Sequence, residues 1–385
     1  MSIHNVFIGE SIVSRFQDKL GDLEARGRLR ALAPARGIDF TSNDYLGLRS
    51  HPALRQAAIE ALQCGIELGA GGSRLLRGNT DAHEELEAFA SAYFGCENAL
   101  YFSSGFQANA AIFQALPQRG DTIIFDTAIH ASAREGIQAS VAGHIRVPHN
   151  DLGAYEEALR RAKGKRWIAV ESVYSMDGDL APLPALQDLA LQYDAFLIVD
   201  EAHGTGVFGA SGRGLSEGLP HDNLITLHTC GKALGVAGGL VCARADIIDY
   251  MINTARGFIY STAPMPLQAV LVKRALELVR DEPERREKLH QLILYVKYND
   301  VSVRGVVLEG SGASQIMPIL LGEDARAVAV ARAMQTAGFD VRAIRPPTVP
   351  EGTARLRVSL GVHITEAIWD DFRNALGVCL RMEAA

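Results

Sequence analysis

Between about residues 100 and 245, short apolar runs rich in β-branched and aromatic residues recur: Leu100–Phe102, Thr122–Phe125, Trp167–Val170, Phe196–Val199, Leu224–His228 and Leu240–Cys242. Most are separated by helix-length segments. Strands that alternate with helices imply an α/β domain whose mostly parallel sheet is buried on both faces. In such a sheet a ligand sits beyond the carboxyl ends of the strands. Several of these runs end in polar clusters: Ser103-Ser104-Gly105, Asp126 to His130, Glu171-Ser172, Asp200 to His203 and Thr229 to Lys232. The pattern predicts that these clusters converge on one crevice.

The flanks read differently. Ile12 to Leu32 predicts a polar helix interrupted near Gly21 and Gly27, followed by a short strand at Ile38-Asp39-Phe40. Pro52 and Gly65 bracket a helix with Leu54, Ala58 and Leu62 on one face. A long helical pattern follows Pro266, and a charged helix follows Glu282. Strands at Ile316–Leu321, Val341–Ile344 and Leu356–Ser359 then interleave with helices over Ala325–Ala337 and from Thr365, its predicted N-cap, to about Leu376. This gives an N-terminal arm over 1–40, a large domain over 41–280 and a smaller α+β domain over 281–385.

Composition narrows the function classes. A formal charge of −7 gives no general attraction for nucleic acid, so an anionic substrate must be met by local basic groups. No apolar run reaches membrane-spanning length, and the first thirty residues lack the pattern of a secretory signal, so a cytoplasmic location is expected. Five cysteines without a CxxC pair point to buried thiols, not to a disulfide framework or a metal site.

The chemistry starts from Asp200 and Lys232. An Asp closing a strand often only caps a turn, and a Lys after the next strand is often surface charge. As a pair at the ends of adjacent strands, they match the two ends of a pyridoxal phosphate cofactor. A desolvated lysine amine is neutral and nucleophilic enough to condense with the aldehyde and to act as a base. The carboxylate keeps the pyridine nitrogen protonated, so that the ring accepts electrons. His203 is placed to reach the phenolic oxygen and His130 to stack on the ring. Ser103 to Asn109, where a strand turns through Gly105 into a helix, predicts a phosphate site on helix amides, with the Thr229 hydroxyl as a further donor. Gly204-Thr-Gly206-Val-Phe-Gly209 has dinucleotide spacing, but Ala-Ser-Gly-Arg-Gly after it cannot open an amphipathic helix, and Gly231-Lys232 lacks the rest of a P-loop.

With these residues in place the chain resembles the α-oxoamine synthases of the fold-type I pyridoxal phosphate enzymes over nearly its whole length. The motifs that carry the resemblance are Thr41-Ser-Asn-Asp-Tyr-Leu-Gly47, Gly69-Ala-Gly-Gly-Ser-Arg-Leu75, Gly105-Phe106, His130-Ala-Ser132, Ser175-Met-Asp-Gly-Asp179, Asp200-Glu-Ala-His-Gly-Thr-Gly206, Thr229-Cys-Gly-Lys232 and Tyr260-Ser-Thr262. The resemblance implies a mostly parallel seven-stranded sheet between helices. It implies a homodimer with the active site at the interface, and catalysis by Lys232, His130 and Asp200. Gly105, Phe106, Ser175, His203 and Thr229 would then hold the cofactor, with Ser261 and Thr262 reaching a partner's phosphate. On the substrate side it implies Arg30, His130 and Thr348, with Asn43 and Arg357 gripping an amino-acid carboxylate and Arg345 as a second candidate. The tail from Arg345 to Arg357 is similar to the branch that joins L-alanine to a pimeloyl thioester, carried by CoA or acyl carrier protein, in biotin biosynthesis. A sister synthase acting on glycine or serine shares every cofactor residue. A non-catalytic partner subunit of this fold is a further alternative, against which the retained Lys232 counts. Arg77 and the stretch Leu294 to Val303 depart from the family pattern.

Overall fold

The structure is a computed structural model and describes residues 12–299 and 314–383. Its largest sheet has seven strands: β1 (Asn98–Phe102), β2 (Thr122–Asp126), β3 (Gly143–Val147), β4 (Arg166–Glu171), β5 (Ala195–Asp200), β6 (Leu224–Thr229) and β7 (Gly239–Ala243). They lie in the order β1-β7-β6-β5-β4-β2-β3. All run parallel except β7, which is antiparallel to both β1 and β6. The carboxyl ends of β1, β2, β4, β5 and β6 therefore share one edge, and β7 starts there.

The expected runs are all strands, each extended by a residue or two. The sequence reading missed β3, because Gly143, His144 and Arg146 are exposed and an edge strand carries no apolar run. Helices Ala131–Ala139, Leu152–Arg161 and Leu183–Gln192 make the crossovers β2 to β3, β3 to β4 and β4 to β5. Between β5 and β6 the chain instead makes turns, and Gly204 to Gly209 open no helix.

After the helices Pro266–Asp281 and Pro283–Asn299, a three-stranded antiparallel sheet forms from β8 (Ile316–Gly322), β9 (Arg342–Ile344) and β10 (Ala354–Ser359), with β10 in the middle. Helices Asp324–Thr336 and Glu366–Glu383 flank it, and the Thr365 hydroxyl accepts from Ile368 N at 3.2 Å, as its capping role requires. One apolar cluster runs from Phe40 and Tyr45 through Leu276 to Trp369, so this layer and the large sheet share a core.

The first helix, Ile12–Ala25, passes through Gly21 and stops before Gly27. On Pro52–Gln63, Leu54 is buried but Leu62 is exposed, so the buried face turns toward Ala53 and Ala57. Cys230, Cys242 and Cys379 are buried, whereas Cys64 is exposed at the end of that helix and Cys96 is half-buried. Residues 300–303 of the divergent stretch lie outside the described residues. Among the described residues no helix is long and apolar enough to cross a membrane.

Candidate active site

The strand ends enclose a cavity of about 340 Å³ lined by Asn43, Gly105, His130, Glu171, Asp200 and Lys232, with Phe106, Asn109, Ser132 and Thr229. Its floor is ionic. Asp200, at the end of β5, accepts from Asn109 Nδ2 at 2.7 Å and from Ala202 N at 2.9 Å. Asn109 also donates to Ser132 Oγ at 2.9 Å, and Ser132 Oγ lies 2.8 Å from His130 Nδ1. Lys232 Nζ lies 2.8 Å from His203 Nε2. Desolvation brings the lysine amine down to about 8, against the pull of Asp200 and Glu171. Burial, followed by the charges of Lys232 and Arg357, holds His203 well below the ordinary imidazole range.

A second carboxyl borders the same cavity. Glu171 pairs with Asp200 in the β4–β5 ladder, and its Oε1 is buried without a hydrogen-bond partner. Burial and then the neighbouring Asp200 push its pKa up to about 8, while Lys232 opposes them.

At the opposite end, Ser104 caps the helix Gly105–Ala115 by accepting from Gln107 N at 3.1 Å. The amides of Gly105 and Phe106 are then in the first turn, where no intrahelical acceptor exists. Gly105 is required by close approach, since a Cβ there would meet Thr229 Cγ2 at 2.3 Å. The Thr229 hydroxyl lies 3.5 Å from Ala202 O.

The predicted residues fall into three groups. Lys232, Asp200, His130, Gly105, Phe106, Thr229 and Asn43 line the cavity. His203 joins them through Lys232, and Arg357 through Asn43 Oδ1 at 3.1 Å. Ser175 enters by its carbonyl, which accepts from Arg357 Nε at 2.6 Å. Ser261 and Thr262 line a separate small cavity with Ser103 and Gln107. Arg30 donates to Thr348 Oγ1 at 3.4 Å beside a groove of Leu20, Leu23, Pro346 and Pro347, apart from Lys232. Arg345 Nη1 donates to the Gly27 carbonyl.

Three participants escaped the sequence reading as site residues. Glu171 was legible as a strand-end acid next to Asp200. Asn109 shows as a polar residue on the buried side of an apolar helix, 2 % exposed. Tyr45 carries no sequence signal beyond its motif.

The residues present fit pyridoxal phosphate: an anion site on helix amides, an acid at the far end, a lysine amine between, and an orphaned buried carboxyl oxygen. This fold and donor set define a fold-type I pyridoxal phosphate transferase. The family described as aminotransferase class I and II matches residues 35–376. The chain belongs to that family and to its α-oxoamine synthases. It is 43 % identical to the 8-amino-7-oxononanoate synthase of Chromobacterium violaceum, over 89 % of this chain and 92 % of that one. Among solved structures it is similar to serine palmitoyltransferase from S. paucimobilis with a bound PLP–myriocin aldimine (TM-score 0.89, 26 % identity, 97 % and 99 % of the two chains). It is also similar to 8-amino-7-oxononanoate synthase from Francisella tularensis (TM-score 0.78, 30 % identity, 91 % and 99 %).

Proposed function

We propose that the chain joins L-alanine to a pimeloyl thioester with loss of carbon dioxide, giving 8-amino-7-oxononanoate, and that it uses pyridoxal phosphate on Lys232. The observation that carries this reading is the Lys232 amine, brought down to about 8 and set in one cavity with the buried Asp200. The similarity to named 8-amino-7-oxononanoate synthases supports the choice of substrates.

When bound, the cofactor supplies an aldehyde that captures a primary amine and a ring that draws electrons from the neighbouring carbon. Lys232 Nζ is the base that takes the proton from the alanine Cα and later returns it. Its lowered pKa lets it do both near neutral pH. Asp200 holds a proton on the ring nitrogen and is itself oriented by Asn109. The amides of Gly105 and Phe106 receive the phosphate. Arg357, fixed by Ser175, Asn43 and Ser359, takes the alanine carboxylate. His130, held by Ser132, faces the acyl carbonyl and polarises it during carbon–carbon bond formation. Arg30 and Thr348 contact the acyl substrate. Ser261 and Thr262 serve a partner's site in a homodimer.

The domain division at 40 and 280 belongs to the same proposal, supported by the separate sheets. The test is product identification by mass spectrometry with alanine and pimeloyl-CoA or its acyl-carrier-protein form, with Lys232→Ala as control. Faster turnover of glycine with acetyl-CoA assigns a sister synthase instead. Absence of a visible chromophore with pyridoxal phosphate ends the cofactor assignment.

A further inference from the structure

We propose that Tyr45 is a positioning residue that fixes the tautomer of His203 and so decides which proton is held at Lys232. The proposal rests on the reading of Lys232 as the reactive amine.

A continuous chain of hydrogen bonds joins Arg357 to Lys232. Arg357 Nη1 donates to Asn43 Oδ1 at 3.1 Å, and the Tyr45 hydroxyl reaches the same oxygen at 3.0 Å. Tyr45 Oη lies 2.7 Å from His203 Nδ1, and His203 Nε2 lies 2.8 Å from Lys232 Nζ. Donor counting favours one direction at each link, with Arg357 and Gln315 also placed to donate to the Tyr45 oxygen. A guanidinium has no acceptor, so the Asn43 atom it meets is oxygen and not amide nitrogen. That oxygen can only accept, and the single Tyr45 proton therefore goes to Asn43. The Tyr45 oxygen is then left to accept, and His203 Nδ1 must carry the hydrogen it accepts. In a neutral imidazole this leaves Nε2 bare and facing Lys232 as an acceptor. Tyr45 and His203 are almost wholly buried, so water does not offer Nδ1 a substitute partner.

The charged and titratable groups facing Lys232 are Asp200, Glu171, Arg357, His203 and His130. Of these, His203 is the one in hydrogen-bond contact with Nζ, and its imidazole can change from acceptor to donor there without changing charge. With Phe at position 45, the Nδ1 hydrogen loses its acceptor and the Nε2–H form becomes favoured. A donor then faces the lysine nitrogen and competes with that nitrogen's own proton, which leaves at lower pH.

Two measurements decide the matter. On the unaltered chain labelled with ¹⁵N-histidine, long-range ¹H–¹⁵N spectra should show His203 protonated at Nδ1 and bare at Nε2. The reverse pattern overturns the proposal, whatever the cofactor does. On the holoprotein, Tyr45→Phe should move the pH midpoint of the visible band down by about one unit, a tenfold change in proton affinity. A purely structural tyrosine would lower stability and leave that midpoint in place, which overturns the proposal. If the unaltered protein shows no visible band, the cofactor reading fails, and the tautomer measurement still decides the role of Tyr45.

Discussion

Glu171 stands directly across the β4–β5 ladder from Asp200, so two carboxyl groups end side by side at one cavity floor. Like charges this close do not both ionise in a desolvated site, and burial adds to the effect. Glu171 is the one held neutral, up to about 8. Its pKa is raised on folding, so the native state binds the extra proton. This contribution is complete below the ordinary value of 4.5 and is lost as pH rises through about 8. The cofactor-free protein should therefore lose stability over that interval. Glu171→Gln, which mimics the protonated acid, should remove this part of the slope. Urea midpoints of both proteins between pH 5 and pH 9 are the check, and a difference independent of pH would count against a neutral Glu171.

Gly105 and Thr229 make the second prediction. A methyl group at 105 collides with Thr229 Cγ2, which belongs to a stiff β-branched side chain and cannot swing away. Gly105→Ala should weaken pyridoxal phosphate binding by roughly tenfold or more, equivalent to about 1.4 kcal/mol. Thr229→Ser removes the offending carbon and keeps the hydroxyl. The double variant should recover most of the lost affinity, measured by titrating the cofactor-free protein. Strict additivity of the two losses would show that the collision is not the cause.

His149 makes the third. Its Nδ1 meets Asp126 at 2.8 Å and its Nε2 meets Asp179 at 2.6 Å, while Asn150 donates to both acids. Burial lowers the imidazole pKa, but the two carboxylates outweigh it and lift the group to about 10. The clasp ties the end of β2 to the Ser175–Asp179 turn, the far side of which meets Arg357 and Ser314. Because the folded pKa is raised, the stabilisation is complete below 6.5 and disappears as pH climbs through about 10. His149→Gln should cost about 1–3 kcal/mol at pH 7, because Asp126 loses its charged partner and keeps only the Ala128 and Asn150 amide donors. The gap from the unaltered protein should narrow above pH 10, as read by denaturant unfolding.

The apolar runs made the large sheet legible because a strand buried on both faces must be apolar throughout. The same logic hid β3, whose outer face meets water. Asp200 and Lys232 were legible because chemistry demands both at adjacent strand ends. The chain of contacts from Arg357 to Tyr45 was not: the resemblance named Asn43 and Arg357, but Asn43 and Tyr45 come from the segment before the sheet and Arg357 from β10, and only the packed core sets Asn43 3.1 Å from Arg357 and 3.0 Å from Tyr45.

Arg357 makes the last prediction. Its Nε is committed to Ser175 O and its Nη1 to Asn43 and Ser359, so three fixed acceptors orient the guanidinium. A lysine keeps the charge but cannot span these acceptors or present a planar fork to a carboxylate. The loss should fall on the small substrate alone. Arg357→Lys should raise the KM for alanine by about tenfold to a hundredfold, the equivalent of a charge-assisted hydrogen bond of about 1.5–3 kcal/mol. The KM for the thioester should stay within about threefold, because a carboxylate grip makes no contact with the acyl chain. Steady-state kinetics with each substrate varied in turn separates the two. Equal increases in both constants would move the alanine carboxylate away from Arg357.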